Sequence, residues 1–341
     1  MWLLRFNLAC YIAHIQGECL VSVPSEVSMF NKTTLPKIAL IGVGLSGIAY
    51  ADDYSIVEKI IYGQGDVTID GSVQPRDLWM DAYLPVSEET TPSKAIFMTF
   101  GGAYHRGHPH HPYLMEGAQT TSMKQYCETF VRQGYACFTI DYRVVPELPV
   151  PTRQGYSENM LDMSPVPTMQ GQVNIVRSIM GLPPLDFTKH SDLEIVENTV
   201  LAAAEDLRTA VQYVKANADV YNIDPLKIVL GGFSAGSVTS LNVGHGMQEP
   251  VAGIMMLGTA EIGFDIKKTV THGADVSPVL MFQGQYDLPA TFVGTPKLLA
   301  HYEKVGVDYS YSWVPGASHF YLLVLSHSLE MDKDNRLNNV C

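Results

Sequence analysis

A chain of 341 residues with 46% hydrophobic and 17% charged residues has the composition of a globular protein, with enough apolar material for one large core. It carries 22 Lys and Arg against 35 Asp and Glu, a formal charge of −13. An acidic chain with no basic stripe excludes a binder of nucleic acid, which needs clustered cations against phosphate.

Taken in order, residues 37–47 read Lys37-Ile38-Ala39-Leu40-Ile41-Gly42-Val43-Gly44-Leu45-Ser46-Gly47. The glycines match G-x-G-x-x-G after an apolar run, the pattern of a dinucleotide-binding turn. A signal peptide fits the same stretch better. Met29 begins it, Lys32 and Lys37 form a basic region, Ile38 to Ile48 an apolar one, and Ala49-Tyr50-Ala51 an A-x-A cleavage site before Asp52-Asp53. The dinucleotide reading also needs a long helix and a second parallel strand, whereas Gly63, Gly65 and Gly71 are expected to break the chain. The expectation is an upstream extension over 1–28, a signal peptide over 29–51, and a mature secreted or periplasmic domain over 52–341. No later apolar run approaches the length of a membrane span.

Strands are expected at Ile56–Tyr62 and Leu78–Leu84. In the second, Trp79, Asp81 and Tyr83 alternate with apolar residues, which predicts a half-exposed edge. Ala95–Thr99 reads as a buried parallel strand. Met123, Cys127, Phe130 and Val131 recur at helical spacing, Gly134 ends that helix, and Ala136–Ile140 is the next strand. Residues 146–190, rich in Pro, Gly and Met, read as an inserted cap or loop. Ser191-Asp192-Leu193-Glu194 has the form of a capping box opening a long helix, with Val200, Ala203, Ala204, Leu207, Ala210, Val211 and Val214 on its buried face. Strands follow at Ile228–Leu230, Gly253–Leu257, Val279–Phe282 and Tyr309–Val314, mostly separated by helical patterns. Strands alternating with helices predict an α/β fold, a mostly parallel sheet covered by helices on both faces. Of five cysteines, Cys10 and Cys19 fall before the mature domain and none forms a C-x-x-C. Cys127 and Cys137 are as consistent with a disulfide as with two buried thiols, and Cys341 ends the chain.

Gly232-Phe233-Ser234-Ala235-Gly236 is a G-x-S-x-G pentapeptide between the apolar strand Ile228–Leu230 and a helix-competent segment from Ser237. Strand, sharp turn and helix are the context of a nucleophile elbow. A serine hydroxyl reacts only when a neighbouring base takes its proton, and a carboxylate must orient that base. In this fold type the chain order is Ser, acid, His. Asp287 follows the strand Val279–Phe282, and His319 lies on the loop after Tyr309–Val314, so Ser234, Asp287 and His319 are the expected triad; Glu261 and Asp265 are the alternative acids. Acyl transfer also needs donors for an oxyanion. The backbone N–H groups of Gly101, Gly102 and Ala235 are the candidates, the glycines lying in the loop Phe100-Gly101-Gly102-Ala103-Tyr104.

On these motifs the chain resembles the α/β-hydrolases of the hormone-sensitive-lipase-like and small carboxylesterase group, over roughly residues 56–325. The elbow matches G-x-S-A-G, and Asp141-Tyr142-Arg143-Val144-Val145-Pro146-Glu147 is similar to the family's D-Y-R-x-x-P-E. The resemblance implies an eight-stranded sheet with a small cap and ester hydrolysis through an acyl-enzyme, without metal or other cofactor. Two positions depart from the family's His-Gly-Gly-Gly: Phe100 replaces the His, and Ala103 the third Gly. The substrate expected is a small-molecule short-chain or aryl ester, acetyl and feruloyl esters included. A serine peptidase of the same fold and a non-catalytic relative are the alternatives. Tyr104, His105 and Phe233 are candidate substrate-binding residues. His105, His108, His110 and His111 are expected on the pocket rim rather than around a metal, since their spacing fits no usual structural site. Asp141 and Arg143 read as a structural ion pair. Met160, Met163 and Met169 fit either an acyl pocket or cap filler. Oligomeric state leaves no trace in the sequence.

Overall fold

The computed structural model describes residues 48–50, 53–86, 91–115 and 118–320. The expected upstream extension and all of the expected signal peptide except residues 48–50 lie outside them, as do Cys10, Cys19 and Cys341. Among the described residues the main sheet has ten strands: β1 (Ile48–Tyr50), β2 (Tyr54–Ile69), β3 (Ser72–Pro85), β4 (Ser93–Thr99), β5 (Ala136–Ile140), β6 (Pro149–Val150), β7 (Ile223–Phe233), β8 (Gly253–Leu257), β9 (Val279–Tyr286) and β10 (Tyr309–Ser318). Their order is β1-β2-β3-β5-β4-β7-β8-β9-β10, with β6 paired to β2. The eight long strands are those of the expected sheet, and the short β1 and β6 are added at its β2 side. Pairing is parallel from β5 through β10 and antiparallel among β1, β2, β3, β5 and β6. Every residue of Ala95–Thr99 and Ala136–Ile140 is buried, so both faces of the sheet's centre are covered.

The antiparallel half departs most from expectation. β2 runs unbroken for 16 residues through Gly63 and Gly65. These glycines make room instead of breaking the strand: a Cβ on Gly63 would lie 2.9 Å from the Thr209 methyl, and one on Gly65 would overlap the Arg143 guanidinium. Only at Asp70-Gly71, with φ of 51° and 76°, does the chain turn into β3. Two successive positive φ angles make the tight hairpin turn that Asp-Gly favours. β3 is an interior strand between β2 and β5, and Asp81 and Tyr83 are fully buried rather than on an edge.

Helix α1 (Met123–Val131) starts at a capping box, in which the Ser122 hydroxyl accepts the Gln125 N–H at 3.3 Å and the Gln125 side chain accepts the Ser122 N–H at 2.9 Å. It packs on β5 and is joined to it by a Cys127–Cys137 disulfide. Residues 146–190 contain α2 (Gln170–Ile179) and are tied to the body where Leu161–Asp162 pairs with Gly263–Phe264. Helix α3 (His190–Ala216) begins one residue before the expected capping box, so Ser191 is already helical and caps nothing. Asp192 instead accepts the Asp186 N–H at 2.9 Å, closing the turn that leads in. Helices α4 (Ala235–Leu241) and α5 (Pro289–Val305) follow β7 and β9. Among the described residues no helix is long and apolar enough to cross a membrane.

Asp141 and Arg143 do not pair with each other. Asp141 meets Arg76 at 2.5 Å, and burial still pushes its carboxyl up to about 6. Arg143 is buried against Asp206, with its Nη2 2.7 Å from Oδ1 and its Nε 3.0 Å from both carboxylate oxygens. Its Nη1 also donates to the carbonyls of Asp66 at 2.9 Å and Val150 at 3.0 Å. One guanidinium therefore fastens β2, β6 and α3.

Candidate active site

Ser234 stands between β7 and α4 with φ 53° and ψ −119°, a conformation that side chains other than glycine's avoid. The surroundings impose it. A Cβ on Gly232 would overlap the Gly236 backbone, and one on Gly236 would overlap the Thr99 and Phe100 carbonyls. Small residues on either side thus let β7, α4 and the end of β4 close together. The Ser234 N–H donates to the Leu257 carbonyl at 2.9 Å. The Ser237 hydroxyl accepts the Leu257 N–H at 2.8 Å and donates to the Gly232 carbonyl at 3.0 Å. The elbow is thereby stitched to the end of β8.

Asp287 follows β9, and its side chain is fully buried. Its Oδ1 accepts the Leu288 N–H at 2.7 Å and its Oδ2 the Gly284 N–H at 3.3 Å. His319 lies just past β10 with Nδ1 2.6 Å from Asp287 Oδ1. A carboxylate oxygen can only accept, so Nδ1–H donates and Nε2 is left as the basic nitrogen. Ser234 and His319 line one cavity, with Asp287 behind the imidazole. Neither alternative acid touches His319: Asp265 accepts the Lys267 N–H at 3.2 Å, and Glu261 lines an adjoining cavity.

Gly102 and Ala235 line the cavity with Ser234, while Gly101 packs behind, where a Cβ would lie 2.9 Å from that of Ser234. Ala235 is the first residue of α4, so its N–H has no intrahelical acceptor. Phe100 is buried and stacks on Tyr142 with ring centroids 4.2 Å apart, and the Tyr142 hydroxyl donates to the Phe100 carbonyl at 3.0 Å.

Of the candidate substrate-binding residues, Tyr104 and Phe233 line the cavity, and the Phe233 ring lies 4.9 Å from that of His319. His105 does not. Positive φ angles at Ala103 and Tyr104 turn the chain inward, and His105 is fully buried beneath the loop with its Nδ1 2.7 Å from the Ala103 carbonyl. Burial pushes its imidazole down to about 4. His108, His110 and His111 are also absent from the cavity wall: His108 stacks on His111 at 4.2 Å, and His110 is paired with buried Asp81. Among the described residues, no three His, Cys, Asp or Glu side chains are arranged to hold a metal ion.

The cavity has a volume of about 360 Å³ and mostly apolar walls. Sequence reasoning missed part of its lining: Ile175 and Val176 from α2, Val238 from α4, and Ile262 and Leu288 from loops. Met169 reaches the cavity, whereas Met160 and Met163 pack against the core. Gly258, also missed, has φ +62° and adjoins both Asp287 and His319. The only sequence signal for it was a glycine immediately after the apolar strand Gly253–Leu257.

The model of the BD-FAE family, an esterase family of α/β-hydrolase type, matches residues 194–290, from α3 through the elbow to the start of α5. No curated protein matches the chain. Solved structures similar to it include esterase 2 of Thermogutta terrifontis with propionate bound, 16% identical, covering 83% of this chain and 96% of that one at a TM-score of 0.49. The same esterase phosphorylated by paraoxon is 17% identical with the same coverages and TM-score. Its native form is 18% identical, covering 81% and 90%, at 0.48.

Proposed function

We propose that this chain, with its α/β-hydrolase fold, is a serine carboxylic-ester hydrolase acting on short-chain or aryl esters, acetyl and feruloyl esters among them. The observation that carries the reading is the 2.6 Å contact of His319 Nδ1 with buried Asp287, beside a serine held on a strained elbow at the same cavity. In this reading Nε2 of His319 takes the Ser234 proton as Oγ attacks the ester carbonyl. Asp287 keeps the imidazole in the required tautomer and stabilises its protonated form. The N–H groups of Gly101, Gly102 and Ala235 receive the oxyanion. His319 then protonates the departing alcohol, and in the second half-reaction it deprotonates the water that releases the acid. The cavity volume and apolar walls favour a small acyl group over a long one.

The reading includes export. The basic, apolar and A-x-A segments over 29–51 support it, and a Cys127–Cys137 disulfide suits an oxidising compartment. Mass spectrometry of the protein from its native host should find a mature N-terminus near Asp52. For the chemistry, Ser234→Ala should abolish hydrolysis of p-nitrophenyl acetate and butyrate and block fluorophosphonate labelling. Undiminished turnover in that variant ends the proposal.

A further inference from the structure

We infer that Tyr113 is a positioning residue for the oxyanion loop: its hydroxyl fixes the peptide between Gly101 and Gly102 so that the Gly102 N–H serves the catalytic cavity. The inference rests on the ester-hydrolase reading above. Tyr113 Oη donates to the Gly101 carbonyl at 2.9 Å. In a trans peptide the C=O and N–H point in opposite directions. Neither Tyr113 nor Gly101 is among the residues lining the cavity, and a hydroxyl that holds the Gly101 oxygen directs the Gly102 N–H away from the phenol. Gly102 shares the cavity wall with Ser234, Ala235 and His319.

This peptide needs a restraint. Glycine lies on both sides of it, and Gly102 has φ +117°, so no Cβ opposes its rotation. Turned over, it would present a carbonyl oxygen where an oxyanion requires a donor. A Cβ on Gly102 would lie 2.8 Å from Tyr113 Oη, so the phenol packs directly against the residue it orients. Tyr113 is itself anchored. Its N–H donates to Thr120 Oγ1 at 2.7 Å, its carbonyl accepts the Thr120 N–H at 2.8 Å, and the Arg106 guanidinium lies 5.0 Å from its ring centre. Burial pushes the phenol up to about 12, so it keeps its proton at neutral pH. Phe100, which stands where the resembled family has a histidine, has no polar side-chain atom to tie the loop.

Tyr113→Phe keeps the ring and removes only the hydroxyl. The kcat for p-nitrophenyl acetate should fall about 10-fold or more while KM stays within about twofold, since the loss is confined to the transition state. Affinity for a trifluoromethyl ketone, whose serine adduct carries an oxyanion, should fall in parallel. A purely structural role would lower Tm and leave kcat per folded molecule and ketone affinity unchanged, and that result overturns the inference. If Tyr113→Phe does not fold, Thr120→Val loosens the same anchor and should show the same pattern more weakly; wild-type kcat and ketone affinity there also overturn it. Ser234→Ala in the same assay separates the two readings. Activity surviving in Ser234→Ala sinks the hydrolase reading, whereas a dead Ser234→Ala beside a wild-type-like Tyr113→Phe sinks only the role of Tyr113.

Discussion

Gly258 packs against His319 so closely that a Cβ at position 258 would lie 2.9 Å from Nδ1 and 3.3 Å from Asp287 Oδ2. A side chain at residue 258 would therefore crowd the imidazole where it meets its carboxylate. Gly258→Ala adds the strain of a side chain at φ +62°, about 1 kcal/mol, and pushes the imidazole off its carboxylate. Displacement of about 1 Å in a reacting group costs on the order of 100-fold in rate. We expect kcat on p-nitrophenyl butyrate to fall by about that factor with only a modest drop in Tm. A folded Gly258→Ala enzyme with unchanged kcat would show that the contact is not needed.

The Arg143–Asp206 pair predicts a stability defect without a catalytic one. Both side chains are buried, and the nearest other carboxylate oxygen, on Glu205, is 3.8 Å from Arg143. Asp206→Ala leaves a buried cation without its main partner, a loss of about 3–5 kcal/mol. Urea unfolding should register it as an earlier midpoint. The kcat of the folded fraction should match wild type, because neither residue lines the cavity.

His245 predicts the sense of an acid effect. Its Nε2 lies 2.8 Å from the Ser277 carbonyl, so Nε2–H donates, and Nδ1 accepts from the Tyr302 hydroxyl at 2.6 Å. Burial pushes its pKa down from 6.5 to about 4. The unfolded chain thus binds a proton near pH 6.5 that the folded chain refuses until about 4. The stabilisation by neutral His245 is complete above pH 6.5 and lost as pH falls toward 4. His105 and His108 shift in the same direction, while Asp141, pushed up to about 6, acts in the opposite sense. The contribution is therefore read as a difference. His245→Gln should be less stable than wild type at pH 7, yet lose less stability between pH 6.5 and 4. An equal pH slope in the two proteins would remove His245 as a cause.

The parallel half of the sheet was legible because its strands are short, apolar and separated by helical spacing, as at Ala95–Thr99 and Gly253–Leu257. The positions of Ser234, Asp287 and His319 were legible for a related reason, since each follows a recognisable strand. The antiparallel half was legible only in part: strands at Ile56–Tyr62 and Leu78–Leu84 were expected, but not their full length, the hairpin that joins them or the interior position of the second. Gly63 and Gly65 carry the local signature of breaks, and their reason for being glycine lies in Thr209 and Arg143, more than a hundred residues away in one case and nearly eighty in the other. Asp141 and Arg143 looked like partners because they are close in sequence, but each found a better match on another element. His105 was misplaced because the backbone at Ala103 and Tyr104 turns inward, which neither residue type announces. Tyr113 and Gly258 act across elements, so no local pattern marks them.

Ser234 is ill at ease in its own backbone setting. Glycine would sit there more comfortably, and a chain chosen only for durability would carry it. Endurance and turnover therefore pull in opposite directions at this one address. Attempts to toughen the protein should leave the turn at 232–236 alone and look to the hairpin and the outer surface, where comfort and chemistry do not compete.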